Sequence, residues 1–461
     1  MATTYLTKTY SGDGNRKKGT ISVWCKFSDS AASADSTIFG CGNISNDSDC
    51  TFLSVNGNGF GSVSTRQIIF ALRISGGTVY KAVSNALLRD INGWYNIVVR
   101  WDTTLGTPNC DIYLNGEEVS YSSNNWSSVS TDTNTYIGST AYPHYIGRGA
   151  YCDAMKNNYM DGCMSHLHYC DGYYYDASTF GSTDATTGEW KINTNPTVTY
   201  GTNGFFLFKN NAAVTDQSGQ GNNFTLDAGT LTKTEDNPSD VFATFNPILA
   251  MNGTMSLANG NTQATTASNY AALASNSYFS TLGMTKGKFY SEFKAVTTPA
   301  ANALIGVGFD LSSAQQGTTA NQYNLSYTNL GFSYNSVGSI GNDGDGWTST
   351  GYDSYTANDI IGVAIDLDNN KLYVSKNGTW QNSANPSSGT GGFSITADKE
   401  YFFAVSDNAS AEVYVYAANF GNGYFGTSAV SSAGTNASNI GIFEYDVPTG
   451  YTALSTKGLN L

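Results

Sequence analysis

Charged side chains are scarce in this chain. Asp, Glu, Lys and Arg make up 13% of its 461 residues, about half the usual share. Cations are scarcer still: 22 Lys and Arg stand against 36 Asp and Glu, a formal net charge of −14. A phosphate backbone or an anionic lipid surface selects a positive patch, so neither nucleic acid nor a membrane is an expected partner. Three histidines leave few candidates for general-base catalysis. No apolar run approaches the roughly 18 residues that span a bilayer. The opening residues, MATTYLTKTYSGDGNRKK, hold no apolar core of a secretory signal, so the chain is expected to be soluble and made in a cytoplasm. No heptad run declares a coiled-coil stalk; a homo-oligomer of another kind stays open.

Gly (50), Tyr (31) and small polar residues fill the gap, with 40% hydrophobic residues overall. That mixture suits short strands joined by tight turns under a neutral polar surface. TISVWCKF (20–27), WYNIVVRW (94–101), CDIYLNG (110–116), FYSEFKAV (289–296), IIGVAIDL (360–367), KLYVSKNG (371–378) and YFFAV (401–405) are runs rich in β-branched and aromatic residues, bounded by Gly, Asn and Asp. In GVAIDLDNNKLYVSKNG, Val363, Ile365 and Leu367 share one face, and Asp366 and Asp368 the other. This is the alternation of a half-buried antiparallel strand. Asn115-Gly116 and Asn377-Gly378 suit turns that need positive φ. Helix is limited to a turn or two in DASTFG and NYAALASN. At roughly 150 residues per domain three domains would fit, but sandwiches run to about 200–250 residues, so two fit as well. Strand grammar breaks over 225–270. The expected fold class is all-β, two antiparallel β-sandwiches in tandem over 1–250 and 251–461.

All seven cysteines (Cys25, Cys41, Cys50, Cys110, Cys152, Cys163, Cys170) fall within the first 170 residues. An odd number without zinc-ribbon spacing, in a reducing compartment, reads as buried thiols. Two of them lie in MDGCMSHLHYCDGYYYD (160–176), with two of the three histidines. Asp161-Gly162 and Asp171-Gly172 bracket a strand there. Strict alternation puts Cys163, Ser165, Leu167 and Tyr169 on one face, and Met164, His166, His168 and Cys170 on the other. The two cysteines then face apart, roughly 23 Å from each other, beyond disulfide reach. His166 and His168 are weak zinc candidates, with His144 or a carboxylate to complete the shell. A sandwich wall with His as a polar aromatic is the commoner explanation. Of the three following tyrosines, Tyr175 is expected to pack inward.

YLTKTYSGDGNRKKGTISVWCKF, WYNIVVRWDTT, DIYLNGEEV, HYIGRG, YMDGCMSHLHYCDG, STFGSTDATTGEW and TYGTNGFFLFKNN carry a further pattern, which DQSGQGNNFTL and FATFNP continue. In these stretches the first half resembles the concanavalin A-like, laminin-G-type jelly rolls of bacteriophage virion proteins. GKFYSEFKAV, IGVGFD, GVAIDLDNNKLYVSKNG, YFFAVSD, ANFG and the closing VPTGYTALSTKGLNL resemble a SPRY-type sandwich. The resemblance implies a virion surface or tail-fibre-like protein. It implies no reaction.

Loop aromatics are the candidate ligand-binding residues: Trp126 in YSSNNWSSVS, Tyr142 and His144 in STAYPHYIG, and Trp347, Tyr352 and Tyr355 in GDGWTSTGYDSY. Aromatic faces stack on the apolar faces of sugars, and neighbouring Asn, Asp and Ser bond the hydroxyls. Such aromatics also anchor contacts with a neighbouring domain or subunit. No catalytic residue is expected. Glycan hydrolysis needs two acids about 5–10 Å apart. Asp366 and Asp368 have the right chemistry but adjoin a hairpin turn, where Asp serves turn geometry. GNDGDG (341–346) and DQSGQGN (216–222) lack the Gly-Lys-Ser/Thr ending of a phosphate loop. Their acids make a weak calcium case, with turns the commoner reading. The expected function is a non-enzymatic virion surface protein of a bacterial virus, a fibre or adhesin that binds host glycan or surface protein. Its partners would be other virion proteins and the host surface. The alternatives are a capsid decoration or structural fibre subunit with no receptor role and, last, a polysaccharide-degrading enzyme.

Overall fold

The computed structural model describes residues 4–28, 36–45, 48–55, 66–149, 158–210, 213–249, 256–266, 276–299, 303–309, 325, 331–342, 346–407 and 413–460. They fall into two compact units, Met1–Lys233 and Thr234–Leu461. Among the described residues the helical pieces are single 3-10 turns, one of them Ala177–Thr179 in DASTFG. NYAALASN lies outside the described residues but for its last position. The chain is all-β.

In the first unit an eight-stranded sheet runs in the order Tyr121–Asn124, Val79–Leu87, Gln67–Arg73, Cys50–Val55, Ser36–Gly42, His144–Ile146, Tyr5–Lys8, Thr225–Ala228. A six-stranded sheet runs Phe205–Leu207, Gly162–Asp171, Lys18–Phe27, Tyr95–Asp102, Asn109–Leu114, Glu117–Glu118. Ile21, Val23, Cys25 and Phe27 of one sheet meet Phe39, Leu53, Phe70 and Leu72 of the other in the shared core. An aromatic column crosses it: Trp126 stacks on Phe70, Phe70 meets Trp101, and Trp101 stacks on Tyr169, with centroids 5.2–6.2 Å apart. The Asn115-Gly116 turn takes φ of 49° and 85°, as two residues suited to left-handed backbone should.

The strand Gly162–Asp171 departs from strict alternation. Its pairing with Lys18–Phe27 shifts register between Ser165 and His168, and His166 takes φ of 49°. This is a bulge, and it resets the parity of the faces. Met164 lies opposite Cys25 and Tyr169 opposite Ile21, both core residues, whereas Cys163 lies opposite Lys26 and His168 opposite Ser22. Cys163 and Cys170 are therefore on the same outer face, not on opposite faces as period two required. Cys170 is nevertheless a thiol, as are Cys25, Cys41 and Cys110. Burial pushes all four up in pKa. Cys152 lies outside the described residues.

The outer face of the six-stranded sheet is covered. Residues 173–206 lay Tyr175, Ala177, Phe180, Val198 and Tyr200 over Val98 and Cys170. Trp190 donates its indole N–H to the buried Asn96 side chain at 3.0 Å. The stretch with two histidines and two cysteines is thus a strand with protein on both sides.

The second unit repeats this plan with other strands. Its larger sheet runs Ser256–Ala258, Gln263–Thr265, Val415–Asn419, Lys288–Ala295, Ile360–Asp366, Lys371–Lys376, Thr379–Trp380. The smaller runs Asn276–Phe279, Phe402–Asp407, Ala303–Gly308, Gly331–Asn335, Ser339–Asn342, Gly346–Thr350. Ile361, Val363 and Ile365 of one sheet meet Ile305, Val307 and Phe403 of the other in the core. The opposite face is not solvated, as the alternation had suggested. Phe443, Val447 and Tyr451 pack there against Tyr290, Ala364 and Tyr373. Phe242, Ala243 and Phe245 also join the second unit. Residues 234–249 therefore belong with it, and the second unit begins at Thr234.

One acid anchors this covering layer. Glu292 is fully buried in Lys288–Ala295. Its carboxylate accepts from the Tyr290 hydroxyl (3.0 Å), the Asn419 amide (3.3 Å) and the backbone N–H groups of Glu444 (2.8 Å) and Tyr445 (2.9 Å). Desolvation pushes its pKa up to about 7, against the pull of those four donors. A folded pKa above the unfolded one means that the unfolded state releases its proton first as pH rises. The Glu292 contribution is therefore full below about 4.5, the ordinary value, and is lost as pH climbs through about 7. Urea unfolding of the wild type and of Glu292→Gln between pH 4.5 and 8 should show this loss in the wild type and its absence in the variant. Equal pH slopes would show that the carboxyl titrates normally.

Candidate functional site

The six proposed ligand-binding aromatics separate by burial. Trp126 has no exposed surface and stands in the first core, stacked on Phe70 at 5.4 Å. Its polar neighbours had suggested an exposed loop. They serve the turn instead: the Asn124 side chain accepts the Trp126 N–H, and the Asn125 side chain accepts the Lys81 N–H at 2.7 Å. His144 is also fully buried, edge-on to Tyr10 at 4.7 Å, with its Nε2 accepting the Gly138 N–H at 2.8 Å. Desolvation lowers its pKa to about 3, so it is a neutral core residue. Tyr355 is buried in the second core and donates its hydroxyl to the Ala303 carbonyl at 2.8 Å. These three are removed from the candidate site.

Trp347 lies on the edge strand Gly346–Thr350, paired with Gly341, rather than on a loop. Its side chain lies outside the described residues. Tyr352 is half-buried against Tyr334, with ring centroids 6.0 Å apart.

Tyr142 remains, in a built setting. It is half-buried, and its hydroxyl donates to Asp49 Oδ2 at 2.9 Å. Tyr136 donates to Asp49 Oδ1 at 2.6 Å, and the two rings lie 5.7 Å apart. The Ser75 N–H (2.8 Å) and the Ser48 hydroxyl (3.2 Å) fill the remaining acceptor positions of Asp49. Burial pushes the Asp49 carboxyl up, but the hydrogen bonds from Tyr136, Ser75 and Tyr142 outweigh it and hold the pKa below the usual range. Arg16 sits over the Tyr136 ring at 5.8 Å and pairs with Asp13 at 3.1 Å. Asp13 in turn accepts both the N–H and the hydroxyl of Thr140. Three loops thus meet at one carboxylate, with Arg16 of a fourth against the Tyr136 ring. A carboxylate with every lone pair engaged neither shuttles protons nor binds a cation. What the cluster presents is two half-buried tyrosine rings packed against the core, whose remaining surface can stack on a ligand. Sequence reasoning missed Asp49 and Tyr136, because nothing in the order of the chain brings positions 49, 75, 136 and 142 together.

The remaining chemical candidates resolve as structure. His168 lies against Phe206 with centroids 4.0 Å apart, and its Nδ1 meets the Tyr200 hydroxyl at 2.9 Å. His166 Nδ1 meets the Ser165 hydroxyl at 2.7 Å. Desolvation lowers both pKa values, that of His166 to about 4. No group of three metal-ligating side chains forms among the described residues. In DQSGQGN, Asp216 accepts from the N–H groups of Phe206, Ser218 and Asn222 and from the Ser218 hydroxyl, so its oxygens close a turn. Part of GNDGDG, 343–345, lies outside the described residues. Asp366 pairs with Lys288 at 2.9 Å and Asp368 accepts the Gly287 N–H at 2.9 Å, both in turn and sheet roles.

A laminin G family model, described as concanavalin A-like lectin/glucanases superfamily, matches residues 2–168. No curated protein matches the chain. Among solved structures, the SPRY domain of human HERC1 is similar at 17% identity and a TM-score of 0.29, covering 38% of this chain and 96% of that one. Domains LG4-5 of the mouse laminin alpha1 chain are similar at 10% identity and a TM-score of 0.28, covering 98% and 83%. The heptameric SAP-like pentraxin from Limulus polyphemus is similar at 13% identity and a TM-score of 0.28, covering 45% and 85%.

Burial predicts opposite behaviour for two of the sequence-selected aromatics. Trp126→Ala empties the middle of the first core and should cost about 3–5 kcal/mol. Tyr142→Ala should cost about 1 kcal/mol, the scale of one hydrogen bond and some surface packing. Denaturant melts of the two variants check this; equal losses would contradict the placement of Trp126.

Proposed function

We propose that the chain is a non-enzymatic attachment protein of a bacterial virus, a fibre or adhesin at the virion surface that binds host glycan or a host surface protein. It would be made in the host cytoplasm and would assemble with other virion proteins. The observation that carries this reading is the pair Tyr136 and Tyr142, both half-buried and both tied to Asp49 at the loop end of the first sandwich. Aromatic rings fixed before contact lose little entropy when a ligand arrives. The family model over residues 2–168 includes lectins in its description, which supports a binding role.

In a second reading, a capsid decoration or structural fibre subunit, exposed apolar side chains would be the contacts with neighbouring copies. Ile248 is 66% exposed and Val337 57%, and side chains of that kind gain by burial against neighbouring copies.

Purified particles carrying Tyr142→Ala separate the two. The attachment reading expects normal incorporation and about a tenfold or greater loss of binding to host cells, the scale of one interface aromatic. Unchanged attachment per particle would discard Tyr142 as a receptor contact. Ile248→Ser with reduced incorporation would favour the structural reading.

A further inference from the structure

We propose that Tyr173 and Tyr175 form a second, independent platform for a neutral glycan, on the outer side of the first unit's six-stranded sheet. The proposal rests on the binding role argued above and gives it a ligand class and a separate place.

The platform follows from how the segment GYYYD is fixed. Gly172, at φ of 86°, turns the chain out of Gly162–Asp171. The Thr20 hydroxyl then holds the segment at two points, donating to the Tyr173 carbonyl at 2.8 Å and accepting the Tyr175 N–H at 2.9 Å. Tyr174 points the other way and is locked there. Its hydroxyl donates to Asp111 at 2.5 Å, and the Arg100 guanidinium lies 4.3 Å from its ring centre. Arg100 also pairs with Asp111 and Asp176. The Tyr175 hydroxyl accepts the Thr199 N–H at 2.8 Å, and its ring meets Phe180 edge-on.

The result is an exposed aromatic on an immobilised backbone. The rings of Tyr173 and Tyr175 are within 13° of parallel, with centroids 6.0 Å apart. Tyr173 is 39% exposed, and every other tyrosine among the described residues is half-buried or buried. The covering layer over Val98 and Cys170 is built of Tyr175, Phe180 and Tyr200, and the Tyr173 ring lies against it through Tyr175 alone among the ring contacts of the described residues. The neighbouring carboxylates Asp111 and Asp176 are already paired with Arg100. The exposed Tyr173 ring, backed by the parallel ring of Tyr175, can take the C–H face of a pyranose unit. A charged glycan finds no free counter-charge in this set. A proline-rich peptide could also lie on parallel tyrosines; the binding role argued above favours the sugar, and the peptide becomes an outcome of the test.

The test uses the full chain and immobilised neutral polysaccharides of defined backbone: a β-glucan, an α-glucan, a galactan and a mannan. Binding by the wild type to at least one, weakened about tenfold or more by Tyr173→Ala and kept by Tyr173→Trp, is expected. Thr20→Val should weaken it too, by freeing the segment, with the thermal melt of Tyr173→Ala unchanged. Binding lost in Tyr142→Ala but intact in Tyr173→Ala would overturn this platform and leave the attachment reading standing. No binding of the wild type to any of the four, or binding only to a proline-rich peptide, would overturn the glycan assignment. Host attachment of Tyr142→Ala particles would then judge the attachment reading by itself.

Discussion

A sheet covered on both faces has no water to receive its polar side chains, and this constraint shapes both units. A polar group facing a dry layer costs a few kcal/mol unless it finds a partner. Here the partner is the covering chain. Thr20, Asn96, Arg100 and His168 on the outer face of the first unit bond to Tyr173, Trp190, Tyr174 or Asp176, and Tyr200. Glu292 and Asn419 do the same in the second unit, holding residues 442–445. Each of these residues fixes a piece of the covering chain. Long stretches with little regular structure, such as 172–204 and 430–451, are thereby kept in one conformation without helices.

The same constraint explains what the sequence could convey. Strands rich in Val, Ile, Tyr and Phe were legible because the core face of each alternates, and Asn-Gly turns were legible because few other pairs tolerate two positive φ angles. Faces were less legible. One inserted residue at His166 reverses every assignment on one side of it, and no composition signal marks a bulge. Asp366, on the supposed wet face, is buried against Lys288 because residues far along the chain return to cover it. The site was the least legible part. Trp126 sits among Ser and Asn, as a loop residue would, yet those neighbours shape a turn that drives the ring into the core. Tyr142 was found by the same rule, and the rule has no means of telling the two apart. What differs is the destination of the side chain, which only the meeting of three loops decides.

Surface aromatics in this protein are consequently of two physical kinds. Most are lids: Trp190 and Phe180 close a layer over polar strand residues and would leave unpaired donors or a void if removed. Tyr136, Tyr142 and Tyr173 belong to the second kind. Their backbones or hydroxyls are held by Asp49 or Thr20, and the rings keep accessible surface beyond what the fold uses. Ordering an aromatic side chain has a cost that the fold has already met at these positions, so contact with a ligand gains stacking energy without that loss. The scarcity of cations directs such surfaces away from phosphates. The chemistry that makes the chain rich in Tyr, Ser, Thr and Asn therefore serves two ends at once. It supplies the tethers that hold irregular segments on buried sheets, and it leaves, at a few points, rings rigid enough to bind.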